Sequence, residues 1–445
     1  MKYRSEFLIA ATKSGSGKTL LTLGILAAMA RRGIDVQPFK CGPDFIDPSL
    51  HEQVVNRHSI NLDLHMMGRD GCLKSYARYG QESDAVIVEG VMGLFDGGSF
   101  SSASLAELLD IPVLLIIDVR SAAESVAAVL KGFEVYNPHT RICGVIFNRV
   151  GSERHRQLIE DAVTGSCSSK ILGFFPRDID FEMPSRHLGL HMGHEQDYSS
   201  THLEKLAESV EQHIDIDQLL QISQQQFKHN KPDQAQPVTQ DIRLAVARDE
   251  AFCFYYEENF EILRSNGFEI VPFSPLHDSR LPDNIQGIYL GGGYPELYAR
   301  ALSANSAMRE SILQWAQSDG FIYGECGGFM YMTRQLTDID GVTHPMSGIF
   351  QVSVKMKPRL SKLGYRKMEI KKDCGLGESG QFVYGHEFHY SDIVERHSDI
   401  EFLYDFDDGR SEGCLMGNSF GSYVHLHFSQ SVENIHRLHS LLAKK

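Results

Sequence analysis

The chain lacks an excess of positive charge: 43 Lys and Arg stand against 58 Asp and Glu, a formal net charge of −15. A surface this acidic repels phosphate backbones, so nucleic-acid binding is not expected as its task. No apolar run approaches the ~20 residues that span a bilayer. The opening MKYRSEFLIAATKSG breaks off too early to read as a secretory signal. The eight cysteines, Cys41, Cys72, Cys143, Cys167, Cys253, Cys326, Cys374 and Cys414, include no C-x-x-C pair, which fits neither a zinc ribbon nor a disulfide framework. Internal repeats are absent too. The expectation is a soluble, cytoplasmic protein with neither membrane nor nucleic acid as partner. Its 445 residues, 42% of them hydrophobic, are enough for two or three domains with cores of their own.

What the chain does have is alternation. Phe7–Ala11, Val36–Phe39, Ala85–Val88, Val113–Ile117 and Ile142–Phe147 are strand-length apolar runs, with a helical pattern over Thr19–Arg31. Runs without polar interruption are expected where both faces of a parallel sheet are covered. Residues 223–240, SQQQFKHNKPDQAQPVTQ, hold almost nothing that fills a core and read as a linker. A second α/β series comes next: Leu244–Ala247, a helix around Tyr255–Ser265, then Glu269–Phe273, Gly287–Leu290 and Phe321–Tyr323. From about Val352 the pattern is shorter and strand-rich, closing with a strand at Gly421–Phe428 and a short helix. The domains predicted are 1–222, a linker 223–240, and 241–445.

Thr12–Thr19, TKSGSGKT, follows the first strand and opens the first helix. Glycines there let backbone N–H groups close around phosphate oxygens, and the helix start adds positive potential. Ser14, Gly15, Ser16 and Gly17 form the cradle, Lys18 reaches the outer phosphates, and Thr19 ligates Mg²⁺. Thr12 stands where the G-x-x-x-x-G-K-T pattern has glycine. Glu89 ends an apolar strand, the place of the metal-holding acid in phosphate-loop enzymes, and leads into the loop Gly90–Gly97 with Asp96. Lys40–Pro48, KCGPDFIDP, sets Asp44 and Asp47 three residues apart at the same expected sheet edge, suited to metal or substrate. The bland reading of such an Asp pair near Pro is turn capping.

In the second half, G-E-C-G-G at Gly324–Gly328 follows a strand and precedes a helix. This is the thiol form of a nucleophile elbow, exposing Cys326 at a helix start where thiolate is favoured. Gly291–Gly292–Gly293 follows another strand and offers backbone N–H groups for an oxyanion hole, with Gly327 completing it. The base should be a histidine arriving from elsewhere. His425, in SYVHLH, is the leading candidate among 20 histidines. H-E-F-H at His386–His389 falls one residue short of H-E-x-x-H, so no zinc site is expected.

Taken together, ATKSGSGKT, QPFKCGPDFIDPSLH, VIVEGVMGLFDG, GVIFNRVGSERH, LGFFPRD, YLGGGYPELY, YGECGGFMYM, YGHEFHYS and GSYVHLHF resemble the glutamine-hydrolysing cobyrinic acid a,c-diamide synthase family over essentially the whole chain. The resemblance implies an α/β fold with a dethiobiotin-synthetase-like phosphate-loop domain followed by a class I glutamine amidotransferase-like domain. It implies ATP and Mg²⁺ as cofactors, and L-glutamine and a tetrapyrrole polycarboxylate as substrates, with a homodimer compatible. It places the thiol on Cys326 and the base on His425. It leaves Thr19, Asp44 and Glu89 for metal, and Lys40, Asp47 and Asp96 for substrate or acyl phosphate. Arg149 and Arg154 are further candidates to meet a polyanion. Ordinary class I amidotransferases carry Glu two residues after the histidine. His427 stands there, which implies a dyad or an acid from elsewhere. Nickel sirohydrochlorin is an alternative substrate for the same chemistry. From a different class, Lys13 gives the K-x-G-x-G-K-T loop of dimeric ATPase switches, which need no Cys–His pair.

Overall fold

The computed structural model describes residues 3–178, 200–228, 239–396 and 400–444. They fall into two compact units, Met1–Leu64 with Gly68–Asp233, and Gln234–Lys445 with His65–Met67.

In the first unit the strands are β1 (Tyr3–Ala11), β2 (Val36–Cys41), β3 (Ile60–Leu62), β4 (Ala85–Glu89), β5 (Val113–Asp118), β6 (Ile142–Val150), β7 (Lys170–Pro176) and β8 (Gln224–Gln226). The helices between them are α1 (Lys18–Arg31), α2 (Ile46–Val55), α3 (Gly68–Gly80), α4 (Ser102–Leu109), α5 (Ser125–Tyr136), α6 (Glu153–Thr164), α7 (Ser200–His213) and α8 (Ile216–Ile222). Among the described residues the order is β3-β2-β4-β1-β5-β6-β7, every pair parallel. The apolar strands are buried because helices cover the sheet, as their uninterrupted sequences require. Register then sets chemistry. Glu89 on β4 lies opposite Ile9 on β1 and Lys40 on β2, so an acid and a base emerge side by side where the phosphate loop leaves β1. Gln224–Gln226, which composition assigns to the linker, instead pairs antiparallel with Tyr3–Ser5. Backbone pairing at the foot of β1 needs no apolar side chain, so composition does not reveal it. Residues 229–238 of the expected linker lie outside the described residues.

The second unit contains β9 (Ile242–Ala247), α9 (Glu257–Ser265), β10 (Phe268–Phe273), β11 (Gly287–Leu290), α10 (Ala299–Ala304), α11 (Ser306–Gln317), β12 (Phe321–Glu325) and α12 (Gly327–Met332). The strand-rich stretch comprises β13 (Thr333–Thr337), β14 (Thr343–Pro345), β15 (Phe350–Met356), β16 (Lys362–Ile370), β17 (Phe382–His389), β18 (Ser391–Arg396), β19 (Glu401–Phe406), β20 (Ser411–Met416), β21 (Ser419–Ser422) and β22 (Val424–Leu426), before α13 (Val432–Leu442). The main sheet runs β10-β9-β11-β12-β21 in parallel and continues antiparallel through β20-β19-β16-β17-β22. β14-β13-β15-β18 form a smaller sheet. The strand expected over Gly421–Phe428 is broken. At the break Tyr423 N donates to the Glu412 carboxylate (2.9 Å) and Val424 N to Ser422 Oγ (3.1 Å), so these donors leave the ladder. β21 stays beside β12 while β22 crosses to β17, and Phe428–Gln430 turns as a 3₁₀ segment.

Among the described residues no helix is long and apolar enough to cross a membrane.

Candidate functional site

The phosphate loop joins a buried strand to a buried helix. Gly17 holds φ 90°, and a Cβ there would lie 2.2 Å from Asn148 Nδ2, so both backbone and space demand glycine. α1 begins without a side-chain cap, leaving its first N–H groups for an anion. Ser14 and Gly15 are exposed, and Ser16 turns its hydroxyl back to Lys13 O (2.9 Å). Lys18 Nζ donates to Met92 O (3.0 Å), tying the loop to the segment after β4. Burial and the nearby Lys40 charge lower the Lys18 ammonium from its ordinary value, against the pull of Glu89 and Asp47.

Around it stands a dense charged cluster. Thr19 Oγ1 donates to Glu89 Oε1 (2.8 Å) and lies 3.4 Å from Asp47 Oδ2. Lys40, buried, bonds Asp47 and sits 3.4 Å from Glu89 Oε1 and 3.6 Å from Asp44 Oδ2. Burial alone would raise the Glu89 carboxyl; Lys40, with hydrogen bonds from His51 and Thr19, outweighs it and holds Glu89 ionised far below the ordinary range. Burial would likewise neutralise Lys40, but Asp47, Glu89 and Asp44 keep it a cation. Asp47 is driven the other way, upward, by burial and by the charges of Asp44 and Glu89.

The structure brings Lys18, Thr19, Lys40, Asp44, Asp47 and Glu89 together. Asp44 also does what a bland reading expects, its Oδ1 accepting from Ile46 N (2.8 Å) and Asp47 N (3.2 Å) at the start of α2. Asp96 accepts from Gly93 N (2.9 Å) and shapes its own loop. Arg149 donates to Gly15 O (2.9 Å) and Asp118 (2.6 Å), while Arg154 is exposed. Among the described residues no three His, Cys, Asp or Glu side chains form a ready metal cage. Mg²⁺ beside phosphates does not need one, since it takes one or two protein oxygens and fills its octahedron with water and phosphate. Thr19 and Glu89 fit that demand.

In the second unit Cys326 stands between β12 and α12, as the cap of the helix, with φ 46° and ψ −100°, a backbone conformation that non-glycine residues seldom hold. Its N–H donates to Ser422 O (2.7 Å), and its Sγ rests 3.7 Å from Phe388 O. Burial, then the Glu296 carboxylate, raises the thiol; the Gly327 N–H opposes them. The triglycine loop connects this cysteine to its histidine. A Cβ on Gly327 would fall 3.0 Å from Gly293 N, and one on Gly292 would fall 2.3 Å from His425 Cε1. Gly293, at φ 152°, has no room for a side chain against Ala251 O. So the triglycine loop packs against His425 through Gly292 and against Gly327, the neighbour of Cys326, through Gly293. His427 points elsewhere: Nδ1 is 3.0 Å from Ser429 Oγ, the ring lies 5.2 Å from that of Tyr256, and burial depresses it to about 3. Glu296 is pushed up to about 7 by burial.

Three residues escaped the sequence reading. His51 Nε2 is 2.7 Å from Glu89 Oε2, with Nδ1 2.9 Å from Ser59 Oγ. Its spacing of four from Asp47 on α2 carried the signal. Asn148 Nδ2 donates to Ser16 O (2.7 Å), a link across the sheet that local sequence does not encode. Glu325, next to the nucleophile, lies with Oε2 3.6 Å from His425 Nδ1.

Comparison with known proteins agrees with both halves. Residues 7–190 match the CobQ/CobB/MinD/ParA nucleotide binding domain, and residues 243–432 the CobB/CobQ-like glutamine amidotransferase domain. The cobyrinate a,c-diamide synthase of Streptococcus sanguinis is 40% identical over 436 residues, 96% of each chain. That of Caldanaerobacter subterraneus subsp. tengcongensis is 37% identical over 439 residues, 97% of each. That of Salmonella typhimurium is 38% identical over 442 residues, 96% of each. The fold expected from sequence, a phosphate-loop half and a glutamine amidotransferase half, is the one found.

Proposed function

The chain belongs to the cobyrinate a,c-diamide synthase family, and from that premise we propose that it amidates the a and c carboxylates of cobyrinic acid with nitrogen from glutamine. As a family member it is a glutamine-dependent amide-forming ligase with a nucleotide-binding domain. ATP supplies the phosphoryl group that makes a peripheral carboxylate an acyl phosphate, and a bound Mg²⁺ would offset its charge. The backbone of Gly15–Thr19 and Lys18 hold the phosphates. Thr19 and Glu89 would hold the metal, in a cluster that also contains Asp47 and Asp44. Lys40, kept cationic by its three carboxylate neighbours, orients the anionic acyl group, and Asp96 keeps the neighbouring loop in shape.

In the other unit the Cys326 thiol gives its proton to His425 and attacks the glutamine amide. The N–H groups of Gly293 and Gly327, with Gly292 packed against the base, stabilise the developing oxyanion. His425 returns the proton to the departing nitrogen, leaving a thioester and ammonia, and water then releases glutamate. Ammonia displaces phosphate from the acyl phosphate, forming the amide. The observation that carries this reading is the coexistence in one chain of the Thr19–Glu89–Lys40 cluster and of a strained Cys326 with the triglycine loop packed against both Gly327 and His425.

The deciding experiment is an ATP- and glutamine-dependent mass-shift assay on cobyrinic acid, its metal-free relative and nickel sirohydrochlorin. Two amide shifts on cobyrinic acid are expected. Amidation of nickel sirohydrochlorin alone overturns the substrate, and ATP hydrolysis without amide on any of the three, or without glutaminase, overturns the ligase reading in favour of a switch.

A further inference from the structure

Every polar partner of Glu325 but one is structural, and the exception is the proposed base. Glu325 is buried at the end of β12. Oε1 accepts from Tyr323 OH and from Leu426 N (2.9 Å). Oε2 accepts from Tyr289 OH (2.9 Å) and lies 3.6 Å from His425 Nδ1. A carboxylate offers about four acceptor positions. Two tyrosines and one amide fill three of them, which fixes the group rigidly and leaves one on the oxygen nearest the imidazole. Leu426 N is the peptide donor directly after His425, so the same carboxylate also grips the strand that carries the base. The 3.6 Å separation exceeds a formed hydrogen bond; such contacts commonly tighten once substrate closes the site.

We propose that Glu325 is the orienting acid of the glutaminase centre, a positioning residue that acts on the reaction through His425. It supplies from the residue before the nucleophile what His427 does not supply two residues after the base. The imidazole is held with Nδ1 toward Glu325, leaving Nε2 to take the thiol proton, and the imidazolium that results faces a fixed negative charge. The inference rests on the assignment of Cys326 and His425 above.

The test is a double-variant cycle on the full-length enzyme, read as glutaminase kcat and KM, with ammonium-driven amide synthesis and thermal unfolding as checks on folding. Glu325→Gln, which preserves shape but not charge, is expected to lower kcat by roughly a hundredfold with KM little changed. In a His425→Asn background the same substitution is expected to cost nothing further. Losses that multiply in the double variant, or a loss carried by KM rather than kcat, overturn the proposal, because a purely structural carboxylate acts regardless of the base. If Glu325→Gln unfolds, Glu325→Asp, which keeps the charge, takes its place, and here too a loss that persists beside His425→Asn overturns it. A His425→Asn single variant with full glutaminase activity instead sinks the underlying assignment, and is distinguishable from either outcome.

Discussion

The two centres solve opposite electrostatic problems. In the first unit, charge is gathered: Lys40 stands among Asp44, Asp47 and Glu89, which keep it a cation, and it in turn holds Glu89 ionised. In the second, charge is withheld: the Cys326 thiol is kept neutral by burial and by Glu296, and His427 is kept neutral by burial alone. Binding a highly charged nucleotide requires compensating charge before the ligand arrives. A nucleophile that must not react until glutamine is seated gains from staying a thiol until its base engages. The backbone obeys the same division, since the phosphate loop uses glycine where φ is positive, whereas the elbow forces the strain on Cys326 itself.

If this contrast is right, the largest effect comes from the charged site. Lys18→Ala should cut amide synthesis by on the order of a thousandfold whether nitrogen comes from glutamine or ammonium, because activation precedes both. Near-normal synthesis by mass assay would remove Lys18 from the phosphates. Next, Cys326→Ala should abolish synthesis with glutamine and spare synthesis with ammonium at a pH where free NH₃ is appreciable. His425→Asn should behave likewise, leaving at most a trace of glutaminase, whereas His427→Asn should keep glutamine use; the reverse pattern would exchange the two histidines.

A steric test comes third. Gly292→Ala places a methyl 2.3 Å from the His425 ring, and should lower glutaminase kcat by about a hundredfold by displacing the base. Ordinary kcat in that variant would show the base is not held there. Fourth, Glu89→Gln should raise the Mg²⁺ needed for half-maximal synthesis by about tenfold, and Asp44→Asn by less, since its helix-capping oxygen survives. Mg²⁺ titrations that superimpose on wild type would take both out of the metal site.

The smallest effect is also the most specific. Glu296→Gln removes a negative charge beside Cys326, so the thiol should titrate lower and alkylate a few-fold faster. The gain should appear only above about pH 7, where Glu296 is ionised, and vanish below it, where wild type is protonated too. An alkylation ratio independent of pH would mean the two groups do not sense each other.

Much of this was legible in the sequence because the information is local. A phosphate loop, an acid closing an apolar strand, and a cysteine between small residues each declare themselves within a short stretch of chain. The features that escaped are set by register and crossing. Glu325 reads as ordinary strand until β22 delivers His425 next to it, and Asn148 matters only because β6 ends near Ser16. The break at Tyr423 depends on Glu412, on a neighbouring strand, which no periodicity reports. The β8 pairing was hidden for a different reason, since it rests on backbone and polar side chains rather than on apolar ones.

That pairing has an architectural consequence. The first and last strands of the nucleotide-binding unit lie side by side, Tyr3 beside Gln226 and Ser5 beside Gln224, at the end of β1 opposite Gly15–Lys18. The unit is therefore a cassette whose seam is closed on itself, with Ser5 Oγ and Ser223 Oγ 2.6 Å apart as an added clasp. Such a module can be excised, circularly permuted or set before another partner domain without unravelling its central strand.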